Sequence, residues 1–227
     1  MNHWVQGPNC QRFFWGVLFF FAMTHQLTTS QPLTKTQLRR QLRQRRRQLS
    51  PQQQRTASRQ LERLLSRDMR FIKSQHIAFY LANDGEINPK PLLDRALKMK
   101  KHCYLPVLNG KKLWFARYCK GDKLINNRFG IPEPRNKHRR LPAKSLSMVL
   151  MPLVGFDSHG GRLGMGGGFY DRTFSWLNTQ AVTRRPVLMG LAHDCQKVEQ
   201  LALQSWDIAL TAIATDKELI ETKRNSA

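Results

Sequence analysis

The sequence predicts an α/β protein: a single three-layer domain with a central, mostly parallel sheet flanked by helices, preceded by a basic helical N-terminal segment. Short apolar runs alternate with helical patterns from His76 onward, which is the rhythm of such a domain. A length of 227 residues suits one domain with a modest extension. We expect the domain to span residues 34–220, between an N-terminal extension of residues 1–33 and a C-terminal tail of residues 221–227.

The N-terminal extension contains a continuous apolar run, Phe13–Met23. This run is too short to span a bilayer, which needs about 20 residues. It is also a poor signal peptide, because only Ala22 and Thr24 offer small residues for cleavage. We therefore predict that translation starts at Met23, that the working protein lacks the run, and that it has no membrane partner.

Two capping boxes predict two consecutive N-terminal helices. Thr34–Gln37 pairs a hydroxyl with a glutamine three residues later, and an arginine-rich helix should follow and end near Gln48. Ser50–Gln53 repeats the pattern with a proline at the first helical position. The second helix has one apolar face, formed by Ala57, Leu61, Leu64 and Leu65.

The remaining strands and helices are predicted from hydrophobic periodicity. The predicted strands are His76–Leu81, His102–Pro106, Lys112–Tyr118, Ser147–Pro152, Val187–Ala192 and Ala209–Thr215. The predicted helices between them are Pro89–Lys98, Phe169–Leu177 and Lys197–Gln204. The segment Asn126–Ala143 combines prolines with basic residues, so it is predicted to be a basic surface loop.

The charge balance predicts an anionic partner. Lys and Arg number 38 against 15 Asp and Glu, a formal net charge of +23, and a positive field of this size concentrates polyanions at the surface. Nucleotides, polyglutamylated cofactors, nucleic acids and acidic membranes all qualify. The cysteines are far apart in sequence and lack zinc-site spacing, so we expect reduced, structural thiols in a cytoplasmic protein: Cys10, Cys103, Cys119 and Cys195.

The most informative segment is Gly160–Arg172, GGRLGMGGGFYDR, between a predicted strand and a predicted helix. Its glycines allow backbone amides to approach one oxyanion, and a helix N-terminus behind them favours phosphate. It is neither a Walker A loop nor G-x-G-x-x-G, because Phe169 occupies the last position. A phosphate-binding loop and a flexible glycine-rich turn therefore both stay open. Asp171 suits either a cap or a magnesium ligand.

As a whole, this segment resembles the R-L-G-x-G-x-G-[FY]-Y-D signature of the 5-formyltetrahydrofolate cyclo-ligase family. Further matches follow in order over about Thr34–Thr215. Lys35 and Arg39 stand, on one helical face, where the family has a basic pair for ATP. Leu81 and Glu86 match the family's substrate-binding strand end and acid. The other matching segments are Gly130–Pro134, Val149–Asp157 and Trp206–Asp207.

The resemblance implies an activity: conversion of 5-formyltetrahydrofolate to 5,10-methenyltetrahydrofolate with MgATP, releasing ADP and phosphate. The γ-phosphate first activates the formyl oxygen, N10 of the folate then attacks the formyl carbon, and phosphate leaves. Such chemistry depends on alignment and charge neutralisation, so no protein nucleophile is expected.

The resemblance also implies site residues, with magnesium as the cofactor. The ATP-binding residues would be Lys35, Arg39, Arg162, Leu163, Gly164, Met165, Gly166, Gly167, Gly168, Phe169 and Tyr170. The substrate-binding residues would be Leu81, Glu86, Met165, Gly166, Gly167, Gly168 and Phe169, and Asp171 and Asp207 would position the metal. Structural alternatives stay open: Lys35 and Arg39 on a solvated face, Glu86 in an exposed turn, and Asp207 as a helix or turn cap.

A second class of function is a basic protein that contacts RNA or DNA without sequence specificity. Its candidate surface would use the arginines crowded on the first helix and those repeating every four residues on the second. They are Arg39, Arg40, Arg43, Arg45, Arg46 and Arg47, followed by Arg55, Arg59, Arg63 and Arg67. A membrane-surface protein anchored by Phe13–Met23 is a third possibility, which requires the first start codon.

Overall fold

A computed structural model of the protein describes residues 1, 3, 33–180, 185–202 and 204–222. The chain divides into residues 1–33 and a larger unit, Thr34–Ala227, which contains the helices and strands. The predicted apolar run Phe13–Met23 and the predicted start at Met23 lie outside the described residues, as does most of the predicted C-terminal tail. Among the residues described, no helix is long and apolar enough to cross a membrane.

The helices and strands follow the alternation that the sequence predicts. The helices are α1 (Lys35–Arg47), α2 (Pro51–Leu65), α3 (Met69–Lys73), α4 (Lys90–Lys98), α5 (Phe169–Phe174) and α6 (Trp176–Thr179). The strands are β1 (His76–Ala78), β2 (His102–Asn109), β3 (Lys112–Tyr118), β4 (Leu124–Asn126), β5 (Pro132–Pro134), β6 (Arg140–Leu141), β7 (Met148–Pro152), β8 (Gly155–Phe156), β9 (Arg162–Leu163), β10 (Val187–Leu191), β11 (Ala212–Ala214) and β12 (Leu219–Glu221). Two short 3-10 turns cover Ala143–Ser145 and Asp194–Gln196.

The central sheet orders its strands β12-β11-β10-β7-β1-β2-β3-β6 within the described part of the chain. The pairs from β11 to β2 are parallel, and antiparallel strands extend both edges. The prediction of a central, mostly parallel sheet is confirmed. The carboxyl ends of β1, β7, β10 and β11 therefore meet at one edge, where ligands bind in open α/β sheets.

The core consists of two apolar layers, one on each face of the sheet, because successive strand residues contribute to opposite layers. Ile77 and Met189 pack with α2 and α4, whereas Ala78 and Leu188 pack with Phe174 of α5 and with α6. Neighbouring strand residues point to opposite faces, so both faces of the buried strands must be covered. The three-layer prediction is confirmed.

Several boundaries differ from the prediction. No described residue of Lys197–Gln204 is helical, because Val198 N–H donates to Phe156 O at 2.9 Å and Leu201 N–H to Asp157 Oδ2 at 2.9 Å. The Leu201 N–H is thereby unavailable to a helix that starts at Lys197, and the Val198 hydrogen bond ties the start of the segment to β8. The predicted helix Phe169–Leu177 is interrupted at Ser175. The predicted loop Asn126–Ala143 contains two short strands and a buried acid, Glu133, paired with Lys137.

The first and last strands of the parallel core are shorter than predicted. The strand predicted at His76–Leu81 ends at Ala78, and the strand predicted at Ala209–Thr215 covers Ala212–Ala214. The residues that follow β1 are thereby free to form the turn that carries Glu86.

Candidate active site

Helix α1 lies against the loops at the carboxyl edge of the sheet. Its capping box is formed as predicted, with Thr34 accepting from Gln37 N–H. Arg39 Nε donates to Gly164 O at 2.9 Å, and Leu42 is fully buried against Val154 and Leu163. Of the predicted basic pair, Lys35 is exposed, and Arg39 contacts the glycine loop directly.

The glycine loop, residues 164–168, connects β9 to α5 in an exposed, sharply turned conformation. Gly166 has φ of +93° and Gly168 has φ of +59°, in the left-handed region that favours glycine. Arg172 holds the loop from behind, because its guanidinium donates to Gly167 O and to Lys111 O. The loop is therefore ordered by side chains while its own outer surface stays open.

Helix α5 is shorter than the sequence predicted, at six residues. A helix this short has a weaker dipole than the longer predicted helix would have, so a phosphate at this loop would depend mainly on loop amides and cationic side chains. Arg162 and Asp171 form an ion pair beside the loop, with 9% and 29% of their side chains exposed. The predicted phosphate ligand and the predicted metal ligand thus neutralise each other in this structure.

The predicted metal ligands differ in how well they suit Mg²⁺. Asp171 keeps a partly exposed carboxylate beside the loop, and Mg²⁺ commonly binds one or two carboxylates together with substrate phosphates. Asp207 Oδ2 instead accepts from Gln204 N–H at 2.9 Å, which is the turn-cap alternative. Within the described residues no three His, Cys, Asp or Glu side chains cluster as a metal site. Asp171 therefore fits a metal that is held mainly by a nucleotide.

The turn after β1 carries two acids with opposite pKa shifts. Burial acts to raise the pKa of Asp84, but hydrogen bonds from Arg43, Arg47 and Arg46 lower it to about 2. For Glu86, burial prevails and raises the pKa to about 7, against the lowering effects of Asn83 N–H and Arg46. The Glu86 side chain is only 11% exposed, so Glu86 is a largely buried carboxyl and not an exposed turn residue.

Aromatic side chains border the glycine loop. Burial raises the pKa of Tyr170, and the negative charge of Glu86 raises it further. The Phe169 ring meets Phe129 edge-on at 5.8 Å between centroids. Phe129 is 52% exposed and was missed by sequence reasoning, although it directly precedes the recognised Gly130–Pro134 segment.

The structure brings most of the predicted site residues together around α1. Arg39 contacts the glycine loop, Tyr170 follows that loop in α5, and Glu86 is near enough to raise the pKa of Tyr170. Leu81 packs against the apolar core, and Asp207 closes its own turn. Neither of these two contacts joins its residue to the glycine loop, so the roles of Leu81 and Asp207 stay predictions.

The nucleic-acid alternative loses part of its basis on α1. Arg46 is 0% exposed, so it is not available to the predicted phosphate-binding face. Arg43 and Arg47 are partly exposed but pair with the carboxylate of Asp84. Part of the arginine crowding that suggested RNA contact is therefore an ion-pair network around Asp84.

An open glycine loop beside a cationic helix, at the carboxyl edge of a mostly parallel sheet, places this chain in the class of α/β proteins that have a candidate anion-binding site at that edge. A model of the 5-formyltetrahydrofolate cyclo-ligase family matches residues 32–216. The chain is 40% identical over 184 residues to a 5-formyltetrahydrofolate cyclo-ligase of Escherichia coli K12, covering 79% of this chain and 99% of that protein. It therefore belongs to this family, as its ordered motifs indicated.

Two further relatives agree. A Haemophilus influenzae 5-formyltetrahydrofolate cyclo-ligase is 43% identical over 143 residues, covering 61% of this chain and 74% of that protein. The NMR structure of an Aquifex aeolicus 5,10-methenyltetrahydrofolate synthetase superposes with a TM-score of 0.73 at 28% identity, covering 86% of this chain and 96% of that chain.

Proposed function

We propose that the protein is an ATP-dependent 5-formyltetrahydrofolate cyclo-ligase that forms 5,10-methenyltetrahydrofolate, ADP and phosphate. The observation that carries this proposal is the contact of Arg39 with Gly164 O, which joins the basic helix and the glycine loop into one anion-binding surface. Membership of the family supplies the substrates, and no finding supports the RNA-binding alternative.

The reaction needs a phosphoryl group delivered to an oxygen. Attack of the formyl oxygen on the γ-phosphorus breaks the bond to the β-phosphate and releases ADP. N10 then attacks the formyl carbon and loses its proton, and cleavage of the carbon–oxygen bond expels phosphate. Both steps develop charge on phosphate oxygens, which Lys35, Arg39 and the loop amides can neutralise without covalent chemistry by the protein.

Mg²⁺ would neutralise phosphate charge when bound. Of the two acids proposed as its ligands, Asp171 can supply a carboxylate oxygen once Arg162 turns to the phosphates, an exchange that keeps both charges paired. Asp207 would have to give up its hydrogen bond to Gln204 N–H. Asp171 is the better supported ligand for this reason.

The folate would lie between the acid turn and the glycine loop. Glu86 in its carboxylate form can accept hydrogen bonds from the N–H groups of the pterin ring. Phe169 and Tyr170 would line the opposite side together with Met165, which is exposed on the glycine loop, and Leu81 precedes the acid turn. This arrangement would bring the formyl group and the terminal phosphate to the same loop.

We further propose that the protein works in the cytoplasm, where ATP is available. The described cysteines, Cys103, Cys119 and Cys195, are free thiols, which suits a reducing compartment.

The test is the growth of methenyltetrahydrofolate absorbance when purified protein meets 5-formyltetrahydrofolate and MgATP. Arg39→Gln should raise the KM for ATP, whereas Arg59→Gln, on the exposed part of α2, should not. Absence of product from the unaltered protein, with both substrates present, would refute the proposal.

A further inference from the structure

Arg46 is a charged side chain with no solvent exposure. Its Nε donates to Asp84 O at 2.8 Å, its Nη1 to Leu153 O at 3.1 Å and its Nη2 to Asp84 Oδ2 at 2.9 Å. The same Nη2 lies 3.8 Å from Glu86 Oε1. Burial of a cation is costly unless it is paired and hydrogen-bonded, and Arg46 meets both conditions with groups of two loops.

Those two loops follow neighbouring parallel strands. Leu153 follows β7 and Asp84 follows β1, and these strands are paired in the sheet. A planar guanidinium has donors in a rigid fork, so it fixes the relative position of both acceptors. The turn also packs tightly on α1, since a Cβ at Gly85 would lie 3.3 Å from Arg46 O.

We propose that Arg46 is a positioning residue for the cyclo-ligase reaction, which holds the Asp84–Glu86 turn against α1 and presents a positive charge to the Glu86 carboxyl. This inference rests on the proposed function, in which Glu86 accepts hydrogen bonds from the folate. Arg46 does not touch the substrate; it acts through Glu86. The proposal differs from a purely structural role because it assigns Arg46 an effect on the charge of one named group.

The charged and titratable groups around Glu86 make that effect measurable. Arg46 lowers the pKa of Glu86 and Asp84 raises it. Burial raises the pKa of Tyr80 and of Tyr170, so both phenols are neutral at working pH. His193, which faces Arg46 and Gly85 from the loop after β10, has its pKa lowered by burial and is also neutral. Among the described residues, the full charges that shift the pKa of Glu86 are those of Arg46 and Asp84, and they have opposite signs.

The experiment measures kcat/KM for 5-formyltetrahydrofolate against pH at saturating MgATP. The unaltered protein should lose activity as pH falls through about 7, because protonated Glu86 no longer offers two acceptors. Arg46→Gln should move this midpoint upward by about one pH unit, which lowers kcat/KM about tenfold on the acid side. Asp84→Asn removes a charge from the same turn and should move the midpoint downward.

Arg46→Lys separates charge from geometry. Lysine keeps the positive charge but lacks the fork, so the midpoint should stay near that of the unaltered protein while the KM for 5-formyltetrahydrofolate rises. The KM for ATP should stay unchanged, because Arg39 keeps its contact with the glycine loop. Glu86→Gln should abolish the acid limb, which assigns that limb to Glu86.

Two outcomes would overturn the inference. One is that Arg46→Gln and Asp84→Asn lose activity equally and have the same midpoint in the pH profile of kcat/KM. The other, decisive if Arg46→Gln does not fold, is an Arg46→Lys protein whose KM for 5-formyltetrahydrofolate is unaltered. Neither touches the proposed function, which fails only if the unaltered protein makes no methenyl product.

Discussion

Replacement of Gly166 by alanine tests whether the glycine loop binds the nucleotide in the conformation described. The Gly166 backbone has φ of +93°, and a Cβ there would lie 3.6 Å from Arg39 Cζ, an ordinary van der Waals distance. Crowding is therefore absent, and the substitution acts through the backbone. Holding a residue other than glycine in such a region costs of the order of 1–3 kcal/mol.

The exposed loop can relieve this cost by leaving its binding conformation rather than by unfolding the domain. The apparent affinity then falls in proportion to the fraction of molecules that keep the loop in place. Since about 1.4 kcal/mol corresponds to tenfold, a strain of about 2 kcal/mol predicts a KM for ATP raised about 30-fold. The loop amides themselves are retained in alanine, so the loss would come from conformation alone.

A matched control exists in the turn between β3 and β4. Gly121 has φ of +92°, and a Cβ added there would meet no atom within 4 Å beyond its own chain neighbours. Gly121→Ala therefore introduces the same strain outside the loop. Steady-state KM values for ATP, from methenyl absorbance, should separate the two variants. Equal KM values for Gly166→Ala and Gly121→Ala would refute the assignment of this loop to the nucleotide.

Three other substitutions give distinct readouts. Asp171→Asn should lower turnover at least tenfold with an unchanged fold, since even indirect metal partners cost about 10–100-fold; full activity would remove Asp171 from the metal role. Asp84 has a pKa lowered from 3.8 to about 2, so it stabilises the fold above pH 4 and loses that effect as pH falls through 2. Asp84→Asn should therefore cost about 2 kcal/mol of unfolding free energy at pH 7 and much less near pH 2; a deficit independent of pH in urea unfolding would contradict this origin. Phe129→Ala should raise the KM for 5-formyltetrahydrofolate roughly 2- to 10-fold, because the interaction energy of one aromatic pair corresponds to a change of this size. Trp114 is also an exposed aromatic residue, and its ring lies against Arg140. Trp114→Ala should leave this KM unaltered.

Features determined by neighbouring residues were predictable from the sequence. Both capping boxes form as predicted, at Thr34 and at Ser50, because each needs only residues three positions apart. The strand Lys112–Tyr118 was predicted at both ends, since its apolar residues and its flanking Gly110 are local signals. The segment Lys197–Gln204 was predicted wrongly, because its conformation depends on hydrogen bonds to Phe156 and Asp157, some 40 residues earlier.

The candidate site shows the same division. Glycine spacing identified the loop. Its turned conformation, however, depends on a hydrogen bond from Arg172, and the neighbouring carboxylate of Asp171 is paired with Arg162. The crowded arginines of α1 could not be ranked from sequence, because only the position of Asp84 in the fold decides which of them is buried. Phe129 was missed for a similar reason, since it approaches Phe169 only after the sheet has formed.

One face of α1 connects the two halves of the proposed site. Arg39 contacts the glycine loop, Leu42 fills the core beside β9, and Arg46 holds the acid turn. Residues spaced by three and four positions lie on the same side of a helix, so a single helical face carries all three contacts. A displacement of α1 would therefore move the glycine loop and the Glu86 turn together. Part of the positive charge of this helix serves that connection, because Arg39 and Arg46 act on the two loops that we propose as the substrate-binding loops.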